Sequence, residues 1–326
     1  MKIIFTKESD LRHRGIAAIV TAAVLCSTLA CSPNRPTAVP SSASQPDRPV
    51  IVTNFYPVWW LATQLVGAAA EVVSLTPEGT EPHDLAVDAN GQKALGAADV
   101  VLYLGADFQP DVQRAVTQLR SQVIAVDLLT APGVELLQAG DIGKETLAGG
   151  KDPHVWLSPV EMVAMAAAAA TAITTGAPQL RDQVQAALPG VQASLGALDE
   201  SYRRGLTGCR SPVLVTSHAA FGYLAHEYGL EQVAIAGVAP EDEPDPRTLQ
   251  SIADVARQRQ VKTVFFEDAL PNNLSRTVAD EIGAQVSLLS ALEFDPRGSL
   301  GADQDYLTVM TGNLDRLHKG LQCTGS

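Results

Sequence analysis

Eight short β-branched runs, in two sets of four, constrain this chain more than any other feature. The first set is P-V-I-V-T (49–53), E-V-V-S-L (71–75), D-V-V-L-Y-L (99–104) and V-I-A-V-D (123–127). The second is P-V-L-V-T-S (212–217), Q-V-A-I-A (232–236), V-K-T-V-F-F (261–266) and A-Q-V-S-L-L (284–289). Each run is apolar on both faces and is separated from the next by a helical stretch. That pattern predicts parallel sheets covered on both sides, an α/β architecture. Between the sets lies a helical region from about 159 to 206. Ser158, Pro159 and Glu161 read as its start, a capping box with proline at the first helical position. Its second part is amphipathic and contains Pro189-Gly190, which predicts a kink or a restart. The region divides the chain into two lobes of comparable size, 49–180 and 208–326, with a linking helix at 181–207.

Upstream of residue 49 the chain reads differently. Lys2, Lys7, Arg12 and Arg14 precede an uncharged apolar run from Gly15 to Leu29. At about 15 residues it is shorter than the ~20 a membrane span needs, and it reads as an export signal over 1–30. The following T-L-A-C-S resembles a bacterial lipoprotein cleavage site, with Cys31 as the lipid attachment point, although Thr28 stands where leucine is usual. Residues 31–48 are rich in proline and serine and form a tether. The expected location is extracytoplasmic, anchored to the cell membrane through Cys31, or periplasmic without the lipid. The net charge is −13, and removing 1–30 takes away four positive and two negative charges. Such an acidic chain lacks the basic patch a nucleic-acid partner requires. Of the four cysteines, Cys26 lies in the signal, which leaves Cys209 and Cys323 as a single pair. In an oxidising compartment a disulfide is the default reading, with two buried thiols as the alternative.

The six histidines sort by position. His13 lies in the signal, while His226 and His318 fall within helical stretches and read as structural or solvated. His83 lies in E-P-H-D after the second strand run, and His218 directly follows the run P-V-L-V-T-S and opens the next helix. His154, in D-P-H-V-W-L-S-P, sits between a proline and a capped helix start. Open α/β sheets bind ligands at the carboxyl ends of their strands, where His83 and His218 fall. Acids stand nearby: Glu81 and Asp84 for His83, and Asp152 for His154. A ligating histidine commonly gives its other N–H to such a group. Three neutral imidazoles suit zinc better than magnesium or calcium.

Seven motifs in order then point to a family. They are V-T-N-F-Y-P-V, P-E-G-T-E-P-H-D with A-D-V-V-L-Y-L-G, D-P-H-V-W-L-S-P, S-H-A-A-F-G-Y-L-A-H-E-Y-G-L, E-P-D-P-R-T-L, V-F-F-E-D and N-L-D-R-L-H-K-G-L. Across residues 49–323 the chain resembles the ZnuA/TroA-like substrate-binding proteins of bacterial zinc and manganese ABC transporters. The resemblance implies two α/β lobes joined by one long rigid helix, with the metal in the cleft between them. It implies His83 and His154 as ligands from the first lobe and His218 from the second. Histidine at the third motif implies Zn2+ rather than Mn2+ as the transported ion. It also implies a membrane permease as partner, a monomer, and no catalysed reaction.

Two features depart from the family pattern. Ser290 stands where many relatives carry an aspartate ligand, leaving Glu293, Asp295, Glu267 or water to complete the shell. Residues 128–151 contain no histidine, so the metal-scavenging loop of some relatives is absent. Manganese binding is the alternative function. A zinc-dependent hydrolase is the alternative from another class, and it lacks support from any H-E-x-x-H motif.

Overall fold

The computed structural model describes residues 48–138, 150–240, 244–268 and 271–325. The export signal, Cys31 and most of the tether lie outside these residues. All eight runs form strands. The first lobe contains β1 (Val50–Thr53), α1 (Tyr56–Val66), β2 (Glu71–Ser74), α2 (Ala89–Ala97), β3 (Val100–Tyr103), α3 (Pro110–Val116), β4 (Ile124–Asp127) and α4 (Pro159–Gly176). The long helix α5 (Arg181–Gly205) follows. The second lobe contains β5 (Val213–Thr216), α6 (Gly222–Tyr228), β6 (Glu231–Ala234), α7 (Pro246–Gln258), β7 (Thr263–Phe266), α8 (Asn273–Ile282), β8 (Gln285–Leu288), α9 (Pro296–Ser299) and α10 (Tyr306–Gly320).

Both sheets are wholly parallel and share one topology, with strand orders β2-β1-β3-β4 and β6-β5-β7-β8. In each, the chain steps outward from the first strand, then crosses back over it to the third. The crevice at the carboxyl ends of β1 and β3, and of β5 and β7, is therefore a topological switch point, where such sheets bind ligands.

Each sheet packs one face against a core of its own. Val52, Leu75, Val101 and Val112 build one such core, and Val213, Val215, Val264 and Val278 build the other. The opposite faces meet a single core that runs through both lobes, from Ile51, Phe55 and Leu102 to Leu214, Phe265 and Met310. Helices α4 and α5 pack against each other within it, and α1 and α10 pack on α5. This position explains the apolar length of α4, whose Met162, Met165, Ala169 and Ile173 are buried. Tyr202 of α5 donates from its hydroxyl to the Met310 carbonyl (2.7 Å) and stacks on Tyr228 (5.0 Å between centroids). His318 Nδ1 lies 2.8 Å from the Gly205 carbonyl, tying α10 to the end of α5. Cys209 and Cys323 are joined in a disulfide.

Three local expectations are corrected. The Ser158 hydroxyl accepts the Glu161 N–H (3.3 Å), but the box does not close: Glu161 instead accepts the N–H of Glu135 (3.0 Å). Pro189 lies inside α5, so no new helix starts there. It is exposed, so the carbonyl it leaves without an N–H donor can be solvated. His218 does not open a helix, because α6 starts at Gly222. Its carbonyl accepts from the Thr216 hydroxyl (2.7 Å) and the Gln232 amide (3.1 Å), and Ala219 N–H donates to Gly237 O (2.8 Å). A backbone committed to those partners turns rather than coils.

Candidate metal centre

His83, His154, His218 and Glu293 converge between the lobes, all four buried, with one ligand atom from each within 4.8 Å of every other. Glu293 Oε1 lies 3.3 Å from His83 Nε2, 3.3 Å from His154 Nε2 and 3.2 Å from His218 Nε2. Zinc bonds of about 2.0–2.1 Å in tetrahedral array place the donor atoms about 3.3–3.4 Å apart. The three spacings to Glu293 Oε1 match edges of that figure, and the four donor atoms together lie within 4.8 Å.

Each side chain arrives from the carboxyl end of a strand or from a stiffened loop. His83 follows β2 on a loop held by Gln109, whose amide donates to the Pro82 carbonyl (3.0 Å) and the Thr76 hydroxyl (2.9 Å). Gln109 in turn accepts from the Asn54 amide (2.8 Å). These polar groups stand after β1, β2 and β3 and are fully or partly buried, so they brace the loop with bonds that water does not contest. Phe108 meets the His83 ring edge-on at 4.7 Å. His154 Nδ1 lies 2.7 Å from Asp152 Oδ1, which also accepts the His154 backbone N–H (2.9 Å). His218 Nδ1 lies 2.6 Å from Glu267 Oε1, which accepts from the Ser217 hydroxyl as well. Both carboxylates fix the tautomer that aims Nε2 into the centre.

His83 lacks such a partner. Its Nδ1 is buried without a hydrogen bond among the described residues, and Glu81 Oε2 accepts the Asp84 N–H instead (3.0 Å). The second lobe also supports His154. Tyr223 donates to the Asp152 carbonyl (3.1 Å), and Gly222 comes so close that an added Cβ would stand 2.4 Å from Asp152 Oδ2.

The candidates for the fourth position separate clearly. Ser290 is buried and its hydroxyl accepts the Leu292 N–H (3.2 Å), while Asn313 clamps its backbone N–H (3.0 Å) and carbonyl (2.7 Å). Leu292 takes a left-handed backbone (φ 57°), which turns Glu293 inward. Asp295 caps α9 through the Arg297 N–H and pairs with the Arg297 guanidinium. Glu267 stands behind His218. Only Glu293 among these reaches the three Nε2 atoms.

Charge follows geometry. Burial alone would raise the Glu293 carboxyl, but His218 charge and hydrogen bonds from all three imidazoles hold it well below the usual carboxylate range. Burial would lower His218, yet the charges and hydrogen bonds of Glu267 and Glu293 hold it well above the usual imidazole range. His154 is raised in the same way, against its burial, by Asp152 and Glu293. His83 is lowered, burial outweighing Glu293.

Sequence reasoning does not single out Gln109, Asn54 or Ser217, which hold the site without facing it. A polar residue just before a proline that opens a helix, as in D-F-Q-P, is the signal that could have found Gln109. His226 is exposed, with its nearest acid, Glu135, at 3.9 Å.

Residues 51–320 match the family described as zinc-uptake complex component A, periplasmic. The chain belongs to that family. Among zinc-uptake component A relatives, the zinc-binding lipoprotein AdcA of Streptococcus pneumoniae is 31% identical over 273 residues, 82% of this chain and 54% of the relative. This chain therefore spans about half the length of the AdcA proteins it matches. The high-affinity zinc uptake system protein ZnuA of Bacillus subtilis is 30% identical over 288 residues, 86% of this chain and 90% of the relative. The Zn(II)-bound ZnuA-like domain of S. pneumoniae AdcA superposes with a TM-score of 0.71 at 29% identity, covering 84% of this chain and 99% of that domain.

Proposed function

We propose that the protein captures Zn2+ outside the cytoplasm through His83, His154, His218 and Glu293 and delivers it to the permease of an ABC transporter. The observation that carries this reading is the convergence of three Nε2 atoms on one carboxylate oxygen at 3.2–3.3 Å, with all four donor atoms within 4.8 Å of one another. Three imidazoles and one carboxylate favour zinc over the harder manganese ion. Four protein ligands fill a tetrahedral shell, whereas catalytic zinc keeps an open position for water or substrate. The arrangement therefore holds its ion rather than activating anything on it. The names of the AdcA and ZnuA relatives support the same reading. Lipid attachment at Cys31 would keep the protein beside its permease, and a monomer suffices because every ligand comes from one chain.

Zinc titration against a competing chelator tests this. One zinc binds per chain, and His83→Ala, His154→Ala and His218→Ala each weaken binding by at least about tenfold. Affinity that survives all three substitutions contradicts the assignment. Equal affinity for Mn2+ contradicts the preference. Turnover of ester, peptide or phosphate substrates that is lost in His218→Ala would favour a hydrolase.

A further inference from the structure

The Trp156 indole packs against one site residue, His154, and touches the supports of two others, His83 and Glu293. It is fully buried, two residues after His154, with ring centroids 5.0 Å apart. It packs against Phe108 (5.4 Å), the ring that meets His83 edge-on, and against Phe55 (4.6 Å). Its Nε1–H donates to the Ala291 carbonyl at 2.7 Å, a buried bond spanning 135 residues of sequence between the lobes. On the other side, the Trp156 carbonyl accepts from the Tyr306 hydroxyl (2.7 Å), and Tyr306 stacks on Trp60 (4.7 Å).

The Ala291 carbonyl stands in the turn that delivers Glu293. Within that turn Ser290 is clamped by Asn313 and Leu292 is bonded to Ser290, both from the second lobe. Trp156 thus supplies a first-lobe restraint on the turn. The peptide it holds precedes a left-handed Leu292, a conformation that branched and bulky side chains rarely adopt unaided.

We propose that Trp156 is a positioning residue for the fourth ligand. Its hydrogen bond to Ala291 sets the reach of Glu293 Oε1 and so decides whether the cation is held by a carboxylate as well as three imidazoles. The proposal rests on the reading of the centre as a zinc site. It assigns one residue of D-P-H-V-W-L-S-P to ligation and its neighbour two places on to aligning a ligand from the other lobe.

The test compares Trp156→Phe, which keeps an aromatic ring but removes the donor, with Glu293→Gln and with the double substitution. Zinc affinity and the visible absorption of bound Co2+ are the readouts. Trp156→Phe weakens zinc by about 10- to 100-fold, and its Co2+ spectrum moves from the wild-type form to that of Glu293→Gln. The double variant binds no more weakly than Glu293→Gln alone, because both changes remove the same interaction. Should Trp156→Phe fail to fold, benzothienylalanine at position 156 replaces the N–H with sulfur at almost unchanged size and gives the same result. A wild-type Co2+ spectrum in either position-156 variant overturns the proposal, as does full multiplication of the losses in the double variant. A wild-type spectrum and affinity in Glu293→Gln itself overturns the four-ligand site, and this proposal with it.

Discussion

In the metal-free centre Glu293 is held towards its ionised form and His218 towards its protonated form, and zinc must displace the His218 proton. The His218 imidazole is held above its unfolded value by Glu267 and Glu293. The stability this gives the metal-free fold is fully present below the unfolded imidazole pKa and is lost as pH rises through the raised one. Zinc requires the neutral ring, so binding near neutral pH expels a proton. Affinity falls as pH drops, and the fall begins above the ordinary imidazole range of ~6.5. Calorimetric titration in buffers of different ionisation heat will show net proton release. A heat independent of the buffer would contradict the charge assignment. At this scale the three histidines are legible in the sequence because each sits in its own motif. Glu293 is not separable there from Asp295 or Glu267. Which carboxylate arrives depends on the left-handed backbone at Leu292, which a leucine does not signal, and on Trp156, which is far from position 293 in the sequence.

Among the elements, the strands are the most legible, because burial on both faces writes a continuous apolar run. Their order is not, since it depends on how the helices cross. The break between α4 and α5 follows from Pro178, but the continuity of α5 through Pro189 is a tertiary outcome. Val184, Val191, Leu195, Leu198 and Tyr202 are buried along one face of α5, and that packing holds the helix across a residue costing roughly 3 kcal/mol relative to alanine. Pro189 is exposed, so Pro189→Ala removes the cost without touching the core. Thermal unfolding should show stabilisation of about 1–3 kcal/mol with zinc affinity unchanged. A lower melting temperature would mean that the proline shapes the path of α5 and with it the spacing of the lobes. His218 carries the same lesson in reverse: a sequence suited to opening a helix is turned because Gln232 donates to the His218 carbonyl and Ala219 N–H donates to the Gly237 carbonyl.

For the whole molecule, the lobes are joined by a shared core and by hydrogen bonds that Trp156, Tyr223 and Tyr306 make across it. The disulfide joins the chain just after α5 to the chain just after α10, enclosing the second lobe in a loop of 114 residues. Closing so long a loop limits the unfolded chain by roughly 4–5 kcal/mol. The Cys209→Ser/Cys323→Ser protein should lose much of that stability in denaturant unfolding while still binding zinc, because the disulfide lies outside the centre. Unchanged stability would contradict its role as a staple. The central claim is that one zinc ion is held by three imidazoles and one carboxylate. X-ray absorption at the zinc edge of the loaded protein tests it most directly. The account predicts a four-coordinate shell at about 2.0–2.1 Å with three imidazole rings, losing one ring in His218→Ala. A six-coordinate, oxygen-rich shell, or three rings persisting in His218→Ala, would contradict it.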